Sequence, residues 1–236
     1  MNQTGTLYGI GVGPGDPELL TIKAVRVLGS VDVIFAAAST RNDYSTALSI
    51  AGPHLRKDVR VEQLGFPMTR DKAELQAAWD KNAAIVAESL RKGENAAFLT
   101  LGDPLTYSTF GYLHRTLLDL DPSLPVQIIP GITSFHAAAA KVGFILAESS
   151  QSLLVTSGVA DMQRLESQLD AADNAVILKA YKNFDEIRSL LEKLRLGDRT
   201  VLVSRLGMEG ESVVMDIRDA PARPHYFSLV LVKKQP

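Results

Sequence analysis

Three short runs of glycine, proline, hydroxyl and acidic residues stand out as places where this chain could do chemistry. The first is Gly9-Ile10-Gly11-Val12-Gly13-Pro14-Gly15-Asp16. Glycine has no Cβ, so such a run can bring backbone close to a ligand or make a tight turn. It is not a phosphate cradle. A dinucleotide loop needs G-x-G-x-x-G running straight into the free N–H groups of a helix. Here Gly9, Gly11 and Gly13 alternate, Pro14 interrupts, and Asp16 with Pro17 occupies the helix start. An acidic cap competes for those N–H groups and repels a diphosphate. No Lys-Ser or Lys-Thr pair follows, so the run is not a P-loop either. Two readings stay open: a structural tight turn, or a surface for a flat ligand without phosphate.

The second run is Leu101-Gly102-Asp103-Pro104-Leu105-Thr106-Tyr107-Ser108. Asp103 could cap a helix that Pro104 starts. Thr106, Tyr107 and Ser108 would then crowd polar groups into its first turn, with Tyr107 able to pack on a planar ligand. The third run is Pro130-Gly131-Ile132-Thr133-Ser134-Phe135-His136. Thr133 or Ser134 could cap a helix. His136 has no acidic partner nearby in sequence, so it reads as packing or surface rather than as a base.

All three runs fall at strand-to-helix junctions, where α/β proteins place their sites. The elements that position them read as follows. A strand at 6–13 leads into a helix at 16–28 with Leu20, Ala24, Val27 and Leu28 on one face, then a strand at 31–35. Segment 36–70 is irregular, with one strand candidate at 59–64. A helix at 71–91, a strand at 96–101 and a helix at 105–118 follow. An Asp- and Pro-rich linker occupies 119–125, then a strand at 126–129 and an Ala-rich helix at 134–142. The second half offers strands at 152–156, 175–180 and 200–204 and helices at 162–169 and 184–194. Its last two strands, 212–217 and 226–232, have no helix between them and read as an antiparallel pair. The pattern predicts an α/β protein of two domains, 1–119 with a mostly parallel sheet and 120–236 with a mixed one.

Composition removes several classes of chemistry. A chain of 236 residues fits one large or two modest domains. With 46% apolar and 22% charged residues it folds rather than staying disordered. Lys and Arg number 25 against 27 Asp and Glu, a net charge of −2, which gives no global reason to bind nucleic acid. The absence of cysteine excludes disulfides, thiolate catalysis and Cys-ligated zinc or iron–sulfur sites. His54, His114, His136 and His225 are scattered, so no metal held by the protein is expected. No apolar stretch reaches 18 residues and no leader pattern opens the chain, so a cytoplasmic protein without membrane contact is expected.

Taken in order, the three runs resemble the tetrapyrrole methylase family. The likeness includes Pro17-Glu18-Leu19-Leu20-Thr21-Ile22-Lys23-Ala24 after the glycine loop and extends over essentially the whole chain. The wording Tyr107-Ser108-Thr109-Phe110 and Ser134-Phe135-His136-Ala137-Ala138-Ala139 is similar to the branch that methylates C20 of precorrin-2 or its cobalt-bearing counterpart. Lys179-Ala180-Tyr181-Lys182-Asn183-Phe184 is similar to that branch's second-domain cofactor segment. The resemblance implies a homodimer that binds S-adenosylmethionine in a cleft between two α/β domains, beside a trough for the tetrapyrrole. It implies cofactor contacts from Gly102, Asp103, Thr106, Tyr107, Ser108, Thr133, Ser134, Ala180, Tyr181 and Leu206. It implies substrate contacts from Gly13, Pro14 and Gly15, with Arg41 and Arg205 meeting substrate carboxylates and Arg56, Lys57 and Arg70 as further cations for them. No residue is assigned as general base, and any cobalt would belong to the substrate. The rival readings are a family member acting at another ring position, uroporphyrinogen III included, and a nucleotide-binding regulatory module without transferase activity.

Overall fold

The computed structural model describes residues 4–38, 45–158 and 160–234. Its first unit, Met1–Thr133, follows the order β1 (Leu7–Gly11), α1 (Ile22–Leu28), β2 (Val33–Ala38), α2 (Thr46–Ala51), β3 (Arg60–Gly65), α3 (Lys72–Arg91), β4 (Ala96–Thr100), α4 (Phe110–Leu120) and β5 (Val126–Ile129). These strands form one sheet in the order β3-β2-β4-β1-β5, and every pairing in it is parallel. Parallel strands are covered on both faces, which is why β1, β2 and β4 are nearly continuous in apolar residues. Leu7, Val33, Phe35, Ala96 and Phe98 pack against Val86 and Leu90 of α3 and against Phe110, Leu113 and Leu117 of α4. Ile10, Ile34, Ala36, Ala97 and Leu99 alternate with them and are also buried. On that side α1 lies against β1 and α2 against β4.

Strand order decides where a ligand can sit. The chain leaving β1 crosses to β2 on one side, while the chain leaving neighbouring β4 crosses back over β1 to β5. The two loops diverge at the carboxyl ends of β1 and β4, the switch point where open α/β sheets bind their ligands.

Several local expectations need correction. The helix expected from residue 16 does not start there. Asp16 Oδ1 accepts the Glu18 N–H at 2.8 Å and caps only a short 3-10 turn, Pro17–Leu19. Thr21 then caps α1, its Oγ1 accepting the Ala24 N–H at 3.2 Å. Segment 36–70, read as irregular, holds α2, capped by Ser45. The stretch 119–125 is the end of α4 and the short loop 121–125 into β5. Because β5 pairs with β1, the unit expected to end at 119 runs on to Thr133.

The second unit, Ser134–Pro236, comprises α5 (Ser134–Val142), β6 (Leu153–Ser157), α6 (Met162–Ala171), β7 (Asn174–Leu178), α7 (Phe184–Lys193), β8 (Thr200–Ser204), β9 (Ser212–Val214) and β10 (Ser228–Lys233). Its sheet has the order β6-β7-β10-β8-β9 and is mixed. β6 and β7 are parallel, whereas β10 runs antiparallel to both β7 and β8. The last two strands do not pair with each other. Each is antiparallel to β8, which lies between them, so they run in the same direction. The connection 215–227, anchored by buried Ile217, is long enough to carry the chain past β8. Leu165, Leu169, Ile187 and Leu191 from α6 and α7 cover one face with Ile177, Val230 and Val232. Phe135 and Ala138 from α5 cover the other with Val176, Val203, Leu229 and Leu231.

Candidate functional site

In the first unit, the ends of β1, β4 and β5 are locked together by backbone. Gly13 and Gly102 form an antiparallel bridge. The Gly102 N–H donates to the Gly13 carbonyl at 2.8 Å, and the Gly13 N–H returns the bond at 3.3 Å. Both residues have positive φ, 78° and 68°, a conformation that glycine adopts without penalty. Gly11 and Gly131 meet beside this bridge. A Cβ on Gly131 would lie 2.1 Å from the Gly102 carbonyl oxygen, and one on Gly11 would lie 2.6 Å from the Gly131 nitrogen. Only backbone without side chains fits there.

Asp103 ties this assembly across loops. Its Oδ1 accepts the Leu105 N–H at 2.9 Å and the Thr106 hydroxyl at 3.2 Å, and its Oδ2 accepts the Gly131 N–H at 3.2 Å. Asp103 is therefore not the cap of a helix. Residues 105–109 remain non-helical, Tyr107 takes φ 52°, and α4 starts only at Phe110. Ser108 makes that start: its Oγ accepts the Phe110 N–H at 3.1 Å and lies 2.7 Å from Thr100 Oγ1 at the end of β4. Thr106 is half-buried on this loop, whereas Tyr107 is 52% exposed. Gly13, Pro14 and Gly15 are buried within the unit.

In the second unit, β6, β7 and β8 point their carboxyl ends to the edge of the sheet where β10 begins. Lys179 turns the chain out of β7 with φ 55°, and the 3-10 turn Ala180–Asn183 follows, with Ala180 buried. The Tyr181 ring lies 5.0 Å from that of Tyr226, which in turn sits edge-on to Phe227 at 4.9 Å. Burial, with Tyr181 adding to it, holds the Tyr226 hydroxyl above the ordinary tyrosine value, so it is a neutral hydrogen-bond donor at neutral pH. Arg205 leaves β8 with φ 54° and is exposed, and Leu206 packs partly into the core under α5. The loop beyond is held by Glu211, which accepts the Gly207 N–H at 2.7 Å and pairs with Lys141 at 2.6 Å.

The residues expected to act together thus fall into two groups. Gly13, Pro14, Gly15, Gly102, Asp103, Thr106, Tyr107, Ser108 and Thr133 lie at the carboxyl end of the first sheet. Ala180, Tyr181, Arg205 and Leu206 lie at one edge of the second. Ser134 is the first residue of α5, and Arg41 lies outside the described residues. Arg56 pairs loosely with Asp58 at 3.4 Å. Tyr226 and His225 stand beside the second group and were not singled out in the sequence. The aromatic run His225-Tyr226-Phe227 was the available signal, but nothing local shows that β10 starts beside the turn after β7. Among the described residues, no group of three or more His, Cys, Asp or Glu is placed to hold a metal ion, and no helix is long and apolar enough to cross a membrane.

A parallel sheet with a glycine-packed switch point, followed by a mixed sheet with an aromatic cluster where β10 begins, defines a two-unit α/β protein. The chain belongs to the Tetrapyrrole (Corrin/Porphyrin) Methylases, which match it over residues 6–221. It is 35% identical to the cobalt-precorrin-2 C(20)-methyltransferase of Salmonella typhimurium, over 98% of this chain and 97% of the relative. It is 33% identical to the precorrin-2 C(20)-methyltransferase of a Sinorhizobium species, over 97% and 95%. Among solved structures, a cobalt precorrin-4 methyltransferase shares the fold with a TM-score of 0.74 at 19% identity, covering 98% of this chain and 96% of its own. A uroporphyrin-III C-methyl transferase from Thermus thermophilus, solved with S-adenosyl homocysteine, gives a TM-score of 0.67 at 22% identity, covering 98% of each chain.

Proposed function

We propose that this chain is an S-adenosylmethionine-dependent methyltransferase that methylates C20 of precorrin-2 or its cobalt-bearing counterpart in corrin-ring synthesis. The observation that carries this reading is the near full-length identity of 33–35% to relatives named for that reaction. The site chemistry fits the cofactor. Acidic Asp16 and Asp103 at the strand ends would repel a diphosphate, but S-adenosylmethionine carries none. Backbone, the Thr106 hydroxyl and the small buried Ala180 beside the Tyr181 ring suit its amino-acid, ribose and adenine parts. Gly102, Asp103, Thr106, Tyr107, Ser108, Thr133, Ser134, Ala180, Tyr181 and Leu206 are the residues proposed to hold it.

When bound, the cofactor supplies an electrophilic methyl group on a sulfonium. The part left to the protein is binding and orientation, which can supply much of the acceleration in such a transfer. The locked glycine strand ends give a rigid floor. Gly13, Pro14 and Gly15 are proposed to shape the substrate side of the loop. Arg41 and Arg205 are proposed to pair with substrate carboxylates, Arg205 being exposed and so able to reach them. The reading carries with it a homodimer in the cytoplasm.

Incubating the purified chain with S-adenosylmethionine and each tetrapyrrole in turn, then locating the new methyl carbon by NMR, tests the proposal. A C20 methyl is expected. A methyl at another ring position, or turnover of uroporphyrinogen III instead, overturns it. The ratio of turnover between cobalt-free and cobalt-bearing substrates assigns the pathway branch.

A further inference from the structure

His225 is tied down at both its ring and its carbonyl, just before β10 begins. The Nδ1 atom accepts the Phe227 N–H at 3.1 Å. The His225 carbonyl accepts the Ser228 hydroxyl at 2.6 Å. Ser228 Oγ lies 2.7 Å from Ser204 Oγ at the end of β8. Because the Ser228 proton is spent on His225, Ser204 is the donor in that buried pair. The first ladder pair of β10 is Ser228 with Ser204, and the Phe227 carbonyl already accepts the Arg205 N–H at 2.8 Å. Tyr226 is therefore the first residue beyond the reach of the sheet, spanned by the bond from the His225 ring to Phe227. It remains 48% exposed although it packs on Tyr181.

A backbone N–H can only donate, so Nδ1 must carry a lone pair and the imidazole proton must sit on Nε2. A doubly protonated ring has no acceptor left, and it would set two donors against each other at Phe227. The groups around the ring point the same way. Arg205 faces it from the loop after β8, while Tyr181 and Lys182, from the turn after β7, face Tyr226. Burial first and the Arg205 charge second hold His225 below the ordinary histidine value.

We infer that His225 is a positioning residue for methyl transfer: neutral and protonated on Nε2, it holds Tyr226 in place at the strand edge, and protonation of the ring releases it. The inference rests on the reading that this edge of the second unit takes part in the reaction. The sign follows from the lone pair. Tyr226 is held above the His225 pKa and freed as pH falls through it, so activity should show an acid limb set by this histidine.

Two measurements test it on the full chain. Imidazole nitrogen NMR should report the Nε2–H tautomer at neutral pH, with the Phe227 amide shift titrating together with the ring. In pH profiles, His225→Asn should remove the acid limb and keep kcat/KM within about two-fold, because an asparagine carbonyl accepts the N–H two residues on, as in an Asx turn. His225→Ala should lose about ten-fold in kcat/KM at neutral pH, the effect of one hydrogen bond, without change in cofactor affinity. An Nδ1–H tautomer, a Phe227 amide that ignores the titration, or matching acid limbs in the wild type and His225→Asn overturns the inference. If the wild-type chain makes no C20 product, the functional reading falls, and the NMR result alone decides whether His225 holds Tyr226.

Discussion

The Asp103 carboxylate spends its two oxygens on Leu105, Thr106 and Gly131, which stand on two different loops. Its sequence context, Gly102-Asp103-Pro104, suggested a helix cap, which the structure replaces with a tie between loops, and, by resemblance, a cofactor contact. The bond to Gly131 was not legible, because no local pattern relates residues 28 positions apart. That bond changes what a substitution does. Asparagine keeps one acceptor for Leu105 but turns an NH2 group toward the Gly131 N–H, donor against donor. Alanine removes all three bonds and leaves the half-buried Gly131 amide without its carboxylate partner, a loss of about 1 kcal/mol for that bond. Asp103→Ala and Asp103→Asn are both expected to lower the urea midpoint and to weaken S-adenosylmethionine binding by calorimetry, alanine more than asparagine. An asparagine variant equal to wild type in both would leave the Asp103–Gly131 bond without consequence.

At the scale of elements, the alternating glycines in and just after β1 have separate jobs that the sequence blends into one loop. Gly9 is a notch for α4. A Cβ there would stand 2.2 Å from Cζ of Phe110, the first residue of that helix. The same ring packs on Phe98 at 5.8 Å and on His114 at 5.6 Å, so it cannot retreat freely. Gly11 makes room for Gly131, and Gly13 supplies a positive φ. Periodicity and glycine placement were enough to find β1, β4, β5 and α5 within a residue or two. They failed at the starts of α1 and α4: Thr21 caps α1 after Asp16 has capped only a 3-10 turn, and α4 begins after Thr109 because Asp103 is spent on Leu105, Thr106 and the distant Gly131. Gly9→Ala should therefore overpack the β1–α4 contact and cost about 1–3 kcal/mol. Phe110→Leu in the same chain should recover part of that loss, since the atoms in the way are the far edge of the ring. Urea unfolding of both single variants and the double closes the cycle. Strictly additive losses would show that Gly9 and Phe110 do not compete for one space.

For the whole molecule, the change from a parallel first half to a mixed second half was visible in the sequence, because helices separate nearly all strands early and fail to separate them late. The division point was not visible. An Asp- and Pro-rich stretch at 119–125 looks like a linker by composition, yet the strand after it completes the first sheet. The Leu7 N–H donates to the Pro125 carbonyl at 2.9 Å, and Leu7 to Ile10 register against Val126 to Ile129. A fragment 1–119 would leave β1, buried except at Tyr8, as a bare edge, with amides unpaired beside side chains, Leu7 and Ile10 among them, that have no exposure at all. Unpaired buried backbone groups and exposed apolar edges favour aggregation over a unique fold. A fragment 1–133 keeps β1 between β4 and β5 and keeps the core that α3 and α4 make with the sheet. Expressed separately, 1–133 should unfold cooperatively in urea and give a dispersed amide spectrum, while 1–119 should aggregate or give a collapsed spectrum. Cooperative unfolding of 1–119 at the same urea midpoint as 1–133 would move the boundary back to 119 and make β5 an accessory to the first sheet rather than part of its closure.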